Sequence, residues 1–387
     1  MAGPINYSNS QCSRAASAML FTMASAHVSQ VHRYSRVAST MLCISVLVML
    51  FACGGSSTGT APAPVEAQDP FTASMDSINA RIVTDPGRAN LYDQRAELFL
   101  SVDSLTAAQR DMERAIRLDS NDVDRHLRLG DLYYRTTQVA KAQAQFEKAA
   151  KLDPSNTSAL LKQAEIQLVL RNYAKSMTMV NEALRQDQHA AHGYFLKGWI
   201  HMETGDTALA LSSFRTAVEQ NAEDYPAYIM LGKISAAKHD PLAEQYYATA
   251  ISLRPRSVEA WYNKGMYHQE NGQDSSALDC YRQIMDIDPN NALAWYNSGY
   301  IRLEHEHDLA GAKKDFSKAI ELEPGYADAW YNRGLAEERS NELDSAAANY
   351  QIVISMRPNY VLAAAALDRL QKQGVRIKIR ENGRGGR

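Results

Sequence analysis

The stretch EAWYNKG, residues Glu259 to Gly265, has two close relatives further along the chain. They are LAWYNSG at residues 293–299 and DAWYNRG at residues 328–334. The pattern Trp-Tyr-Asn-x-Gly therefore occurs three times, at intervals of 34 and 35 residues. A fixed period of this length indicates a chain built from copies of one small structural unit.

The period extends well beyond these three copies. A small residue stands at the place of the glycine in eight units, at Ala96, Gly130, Ala164, Gly198, Gly232, Gly265, Gly299 and Gly334. A second small residue follows near position 20 of each unit, at Ala108, Ala142, Ser176, Ala210, Ala243, Ala277, Ala312 and Ala346. A third lies near position 27 in most units, and proline closes many of them, as in KLDPSN and ELEPGY. Eight repeats thus span residues 89–360.

These residues have a common physical meaning. Small side chains let two helices approach closely, and proline ends a helix because it lacks an N–H and clashes with the preceding turn. A hairpin of two short helices cannot bury its apolar face alone, so neighbouring hairpins must stack to form a core. The pattern predicts a helix-turn-helix unit repeated eight times.

This pattern resembles the tetratricopeptide repeat, which has Trp, Leu-Gly, Tyr, Ala, Phe, Ala and Pro at set places. The resemblance implies an all-α fold, a right-handed superhelical solenoid of eight helix-turn-helix units with N- and C-terminal capping helices. We place the capping helices at residues 70–88 and 361–374, because the first has the register of a second helix ending in Pro86 and the second ends at Gly374. A basic tail, residues 375–387, follows.

The N-terminus predicts export. The run MLCISVLVMLFAC, residues 41–53, suits the apolar region of a signal peptide, and it follows two arginines. Its end, Leu50 to Cys53, resembles the lipobox of bacterial lipoproteins, which implies lipidation of Cys53 and removal of residues 1–52. An uncleaved anchor is the alternative. The resemblance favours a cell-envelope location, with an outer-membrane lipoprotein facing the periplasm.

Composition limits the other classes of function. Residues 53–69 are rich in Gly, Ser, Thr, Ala and Pro, which predicts a flexible tether. Only Cys280 would remain in the body beside Cys53, so no intramolecular disulfide is expected. The net charge is −3, which gives no reason to expect nucleic acid as a partner.

The first helix of each repeat divides into two faces. Numbering each repeat from one, positions 4, 7, 8 and 11 fall together at 100° per residue and face the packing seam. Positions 2, 6, 9 and 13 fall on the other side, which lines the concave groove in tetratricopeptide arrays. The motif tryptophans at position 4, Trp261, Trp295 and Trp330, are thus predicted to be structural. The motif asparagines Asn263, Asn297 and Asn332 are predicted to project into the groove. This ladder resembles the one that grips peptide backbone in O-linked N-acetylglucosamine transferases, although Asn is also common at this position in consensus-like repeats.

Other groove positions suggest partner contacts. The candidates beside the three asparagines are Arg128, Lys162, Leu196, Trp199, Met230, Tyr300 and Arg339. Trp199 leads them, because an aromatic side chain outside the packing register is expected to be exposed. Arg128 and Lys162 could attract an acidic peptide. The clamp of the chaperone-binding family members is not present, because Asp93 and Glu97 stand where Lys and Asn would be required.

No catalytic pattern emerges. The chain has no phosphate-binding loop, dinucleotide fingerprint or paired metal-ligand motif, so we expect no cofactor, no metal and no small-molecule substrate. His305 and His307 lie two residues apart and would point to different faces of a helix. The basic tail alternates Val375, Ile377 and Ile379 with cations, which suits a strand or a frayed terminus.

Two functions fit these observations. The first is a non-enzymatic scaffold, lipid-anchored in a bacterial envelope, that binds a peptide or partner protein in its groove. The alternative is a substrate-presenting subunit whose asparagines hold extended peptide for a separate transferase or secretion machine. A folded partner would depend on Trp199, whereas backbone capture would depend on the asparagines.

Overall fold

A computed structural model describes residues 69–376. Eighteen helices and no strand occur in that range, and the chain divides into two units at Gln220 and Asn221. The predicted leader, the predicted lipidation site at Cys53 and the tail beyond residue 376 lie outside the described residues. The predicted all-α class is confirmed.

Unit 1 contains the first nine helices of the described chain. They are α1 (Pro70–Thr84), α2 (Ala89–Ser101), α3 (Leu105–Leu118), α4 (Val123–Arg135), α5 (Val139–Leu152), α6 (Thr157–Val169), α7 (Tyr173–Gln186), α8 (Ala191–Glu203) and α9 (Thr207–Gln220). From α2 onward, each odd-numbered helix packs most extensively against the helix before it, as in consecutive antiparallel hairpins. Four first helices, α2, α4, α6 and α8, alternate with four second helices.

Unit 2 repeats this arrangement with the other nine described helices. They are α10 (Tyr225–Ala237), α11 (Leu242–Leu253), α12 (Val258–Glu270), α13 (Asp274–Ile287), α14 (Ala292–Glu304), α15 (Leu309–Leu322), α16 (Ala327–Arg339), α17 (Leu343–Met356) and α18 (Val361–Lys372). Here the even-numbered helices α10 to α16 are the first helices of their repeats. Consecutive helix pairs of this kind are typical of a helical-repeat solenoid.

Short polar residues start many of the first helices. Asn156 Oδ1 accepts from the backbone N–H of Ala159 at 2.9 Å, and Asn291 Oδ1 accepts from that of Ala294 at 3.0 Å. Such caps satisfy donors that the first turn of a helix leaves unpaired. The local sequence therefore defines where each hairpin begins.

The hairpin core depends on a match of sizes between position 8 of the first helix and a facing residue of the second. Gly232 illustrates the close contact, since a Cβ placed there would lie 2.6 Å from Tyr247 Cδ1. Glycines in five other repeats face Phe146, Phe214, Tyr281, Phe316 and Tyr350 in the same way. The two repeats that carry Ala96 and Ala164 have Met112 and Val180 in the corresponding register. A smaller partner thus leaves room for the larger residue at position 8.

The turn between the two helices of a repeat has a second requirement. Its last residues include one with positive φ, namely Asp103, Thr137, Arg171, Gly205, His239, Gly272, His307 or Asn341. Glycine adopts this conformation freely, but a residue with a Cβ pays a steric penalty there. The turns of six repeats, which have a non-glycine residue at this position, are therefore strained, whereas the two turns with glycine are not.

The terminal helices differ in how deeply they are buried. No residue of α1 is fully buried, and its apolar face is only half-covered by α2. By contrast, α18 buries Ala363, Ala366 and Leu370 against α17. Val375 then packs against the same cluster after Gly374 turns the chain with φ +92°.

Candidate partner-binding faces of the first helices

The first helices of neighbouring repeats contact one another within each unit. Contacts join α4 to α6 and α6 to α8 in unit 1, and α10 to α12 and α14 to α16 in unit 2. Side chains at positions 2, 5, 6, 9 and 13 therefore lie beside the neighbouring first helices, and several of them bond to the next repeat. We call this surface the first-helix face and describe it separately for each unit.

The first-helix face of unit 1 is built from ion pairs between successive repeats. Arg128 lies 3.5 Å from Asp93 and 3.3 Å from Glu97, both in the preceding repeat. Lys162 lies 3.0 Å from Asp131 of the preceding repeat and 3.5 Å from Glu165 of its own helix. The charges form a continuous ladder rather than isolated groups.

Glu165 also contacts His192 of the next repeat, so it has cationic partners in its own helix and in the following repeat. Burial alone would raise the pKa of Glu165, but Lys162 and His192 lower it to about 2. Burial opposes the charge of Lys162, yet Glu165 and Asp131 raise its pKa. The carboxylate and the ammonium group therefore hold each other in their charged forms.

These pairs correct one expectation from the sequence. Arg128 and Lys162 do not present free positive charge to an acidic peptide, because each is already paired with carboxylates of the protein. Apart from Glu165, the carboxylate partners lie in the preceding repeat, about one period earlier in the chain. An argument from one helix alone does not consider pairs between repeats. A signal was available, since Asp131 and Lys162 have opposite charges and lie 31 residues apart.

Three apolar candidates also lie elsewhere than expected. Trp199 is 4% exposed, Leu196 is fully buried and Met230 is 7% exposed. The Trp199 ring lies 6.0 Å from Phe195, which in turn packs 5.6 Å from Phe214. The prediction that Trp199 is exposed is therefore wrong. A helical wheel shows that the side chain leaves the packing seam, but it does not show that Phe195 and its neighbours cover it.

The asparagine ladder of unit 2 is largely engaged within the protein. Asn263 Nδ2 donates to the carbonyl of Glu259 at 2.9 Å, one turn earlier in the same helix. Asn332 Nδ2 donates to the hydroxyl of Tyr296 at 2.9 Å and is 8% exposed. Asn297 is 7% exposed, close to the buried Tyr281 hydroxyl. The expectation that all three amides project freely into a groove is corrected, because Asn297 and Asn332 are buried.

An aromatic strip occupies the first-helix face of unit 2 instead. It consists of the side chains at positions 5 and 9 of three consecutive first helices, Tyr262, Met266, Tyr296, Tyr300, Tyr331 and Leu335, all half-buried. The ring centroid of Tyr326 lies 4.8 Å from that of Tyr296, and the ring centroid of Tyr360 lies 5.4 Å from that of Tyr331. Two further rings therefore pack against the strip. Position 5 was not among the groove positions considered in the sequence. Its signal was the second letter of each Trp-Tyr-Asn motif.

Ion pairs border the aromatic strip. Arg339 is exposed, and its guanidinium donates to Glu304 at 2.8 Å and to the carbonyl of Leu303 at 3.0 Å. Arg369 forms a bidentate pair with Glu338, with both distances 2.8 Å. Lys233 lies 3.4 Å from Glu259. The border is electrically balanced, so the strip offers apolar and hydroxyl contacts more than net charge.

A metal site, a membrane span and a reactive thiol are other features that these residues could form. Between residues 69 and 376, no three His, Cys, Asp or Glu side chains converge as metal ligands. None of the helices described is long and apolar enough to cross a membrane. Cys280 is a buried free thiol, and burial raises its pKa to about 11. The first-helix faces therefore remain the principal candidates.

Comparison with known families agrees with this architecture. Models of the tetratricopeptide repeat match residues 127–191, 161–226 and 296–361, and a further one matches residues 258–291. Together these segments cover just over half of the chain. The protein is a helical-repeat protein, and it belongs to the tetratricopeptide repeat family. Proteins of this fold serve as scaffolds for protein–protein interaction.

Two solved structures are similar to this chain, and the first supports the same fold. The C-terminal part of a repeat-containing protein from Cytophaga hutchinsonii is 19% identical, with a TM-score of 0.54, over 62% of this chain and 99% of that one. A tetratricopeptide repeat protein from Parabacteroides merdae is 16% identical, with a TM-score of 0.43, over 64% of this chain and 98% of that one. Among curated proteins, no significant match is found.

Proposed function

We propose that the protein is a non-enzymatic scaffold, lipid-anchored in a bacterial envelope, that recruits a partner protein through the aromatic strip of unit 2. The observation that carries this proposal is the half-exposure of six large side chains on three consecutive first helices. Tyrosine is enriched among the residues that dominate binding energy at protein interfaces. Two large side chains per repeat, at least one of them a tyrosine, offer a partner a long and regular contact surface.

The charges around the strip indicate which chemistry the partner supplies. Glu304 and Glu338 are already paired with arginines of the following repeat or cap. A partner therefore gains little from charges of its own at this surface, because it would have to replace existing pairs. We infer that the partner segment is mainly apolar, with hydrogen-bonding groups that meet the tyrosine hydroxyls.

The alternative function has less support. Backbone capture by an asparagine ladder requires amides that are free to bond a peptide. Asn263 and Asn332 donate to groups of the protein, and Asn297 and Asn332 are buried. We therefore do not assign the asparagines to the holding of extended peptide.

A pull-down from envelope membranes with chemical crosslinking tests the strip. One variant carries Met266→Glu, Tyr300→Glu and Leu335→Glu. A matched control carries Met356→Glu, Val361→Glu and Leu362→Glu, which change exposed apolar side chains of the same unit. We expect partners to be lost from the first variant and retained by the control, with equal helix content by circular dichroism. Retention by both would reject the strip as the recruiting surface.

The envelope location rests on the leader and on Cys53. We propose that Cys53 is acylated and that the protein faces the periplasm from the outer membrane. Fractionation of cells that express Cys53→Ala is the test. Release of this variant into the soluble fraction would support the anchor, whereas its retention in membranes would favour an uncleaved leader.

A further inference from the structure

The second helices of unit 1 carry a surface that the partner-binding proposal does not use. Helices α3, α5 and α7 together contain eight Lys or Arg residues and four Asp or Glu residues. The four second helices of unit 2, α11, α13, α15 and α17, contain four Lys or Arg and seven Asp or Glu residues. The net charge of the second helices is thus positive in unit 1 and negative in unit 2.

Burial strengthens this asymmetry. The four acidic side chains of α3, α5 and α7 are buried or half-buried and bond within the protein, as Asp111 does with Arg95 at 2.6 Å. Six of the basic side chains are exposed and form neither an ion pair nor a side-chain hydrogen bond among the described residues. They are Arg110, Arg114, Arg117, Lys148, Lys151 and Lys175, and we call this surface the basic face. Its positive charge is directed to solvent.

The basic face contrasts with the first-helix face of the same unit. There, Arg128 and Lys162 each have carboxylate partners at 3.0 to 3.5 Å. Exposed cations that stay unpaired on one side of a protein with a net charge of −3 are available for an external anion.

A cleft lies within the basic face. It has a volume of about 250 Å³ and is lined by Gln143, Glu147, Ala150, Lys151, Gln163, Gln167, Lys175 and Met179, from α5, α6 and α7. Its acidic member, Glu147, accepts a hydrogen bond from Gln143 at 2.8 Å. Lys151 and Lys175 provide charged donors for a phosphate at this cleft, whereas the Nε2 groups of Gln143 and Gln163 already donate to Glu147 and to the carbonyl of Phe146.

We propose that the basic face rests on an anionic lipid surface, with headgroup phosphates between the cations and in the cleft. This inference rests on the proposed anchor, which selects a membrane over other anions. Asp69 lies 16 residues after Cys53, so even a fully extended tether keeps α1 within roughly 60 Å of the bilayer. The tether enters unit 1, the same unit that carries the basic face. Basic clusters close to a membrane are attracted to anionic lipids and lose this attraction within a Debye length.

Vesicle binding tests the proposal without the acyl chain. The full-length chain with Cys53→Ala is mixed with vesicles of phosphatidylcholine alone, or of phosphatidylcholine and phosphatidylglycerol, and bound protein is separated by flotation. One variant adds Lys148→Glu, Lys151→Glu and Lys175→Glu. The matched control adds Lys313→Glu, Lys314→Glu and Lys318→Glu on α15, with the same change in net charge.

The preference for anionic vesicles should fall roughly ten- to a hundredfold in the first variant and much less in the control. It should also weaken as salt is added. Equal losses in both variants would show that net charge alone is responsible, and no preference in the parent chain would also overturn the proposal. The leader is common to all the proteins, so its own affinity for lipid cancels. Failure of the anchor in cells would leave this vesicle comparison unchanged.

Discussion

Gly232→Ala tests whether the size match at position 8 determines how closely the two helices of a repeat pack. The added Cβ would lie 2.6 Å from Tyr247 Cδ1 and 2.9 Å from Cζ, and Tyr247 is only 2% exposed, so its ring has little space to move. Overpacking of this kind costs about 1–3 kcal/mol. Alanine regains about 1 kcal/mol over glycine through its helix propensity. The net loss should therefore be about 1 kcal/mol, within a range of about 0–2 kcal/mol.

A second substitution makes this prediction specific. Tyr247→Met, combined with Gly232→Ala, recreates in this repeat the pairing of Ala96 with Met112 that the first repeat has. Tyr247→Met alone should destabilise the protein through the space it leaves, but the double variant should cost less than the sum of the two single variants. We expect a favourable coupling of about 1 kcal/mol.

Amide hydrogen exchange in α10 and α11 is the suitable assay, because repeat arrays need not unfold in one step. Gly325→Ala serves as the control, since no atom lies within 4 Å of the Cβ it would add. If Gly232→Ala were as stable as the native chain, or if the coupling were zero, the size match would not control the packing.

Three further predictions concern the ladder, the turns and the buried tryptophan. The folded-state pKa of Glu165 is about 2, below the unfolded value of 4.5, so the ionised carboxylate stabilises the fold by about 3 kcal/mol above pH 4.5 and loses this effect as the pH falls toward 2. Hydrogen exchange in α6 across this range should show the loss of stability, and Glu165→Gln should remove this pH dependence. Thr137→Gly should stabilise the protein by about 0.5–1 kcal/mol, since a β-branched residue at φ +63° is strained, while Gly205→Thr should destabilise it in the same urea titration. Trp199→Ala should lower the free energy of unfolding by about 3–5 kcal/mol, measured by thermal unfolding, because the ring is buried. A loss below about 1 kcal/mol would indicate that the ring is exposed.

Much of the fold could be predicted from the sequence because the repeat constrains it strongly. The small residue at position 8 depends on contacts within one hairpin and recurs in every copy, and the proline that closes a unit recurs in many of them. The helix at Val258–Glu270, for example, begins one residue before the Glu-Ala-Trp motif and ends five residues after Gly265. Local rules were sufficient at this level.

The surface could not be predicted in the same way. Whether Asn332 reaches solvent depends on Tyr296 of the preceding repeat, which a single helical wheel leaves out. The charges of the first-helix face follow the same logic, since Lys162 has one partner 31 residues earlier and another three residues later. Pairing between positions about one period apart is the rule that would have found them.

The ion-pair ladder has a direction along the chain. In unit 1 the carboxylate belongs to the earlier repeat and the cation to the later one, as in Asp93 with Arg128, Asp131 with Lys162, and Glu165 with His192. Removal of the 34 residues from Thr157 to Ala190 would therefore place Asp131 opposite His192, an acid still facing a base. Lys233 and Glu259 of unit 2 have the opposite order. Unit 1 can thus gain or lose a whole repeat in register without isolating a charge, whereas a repeat transplanted from around Lys233 would set like charges against each other.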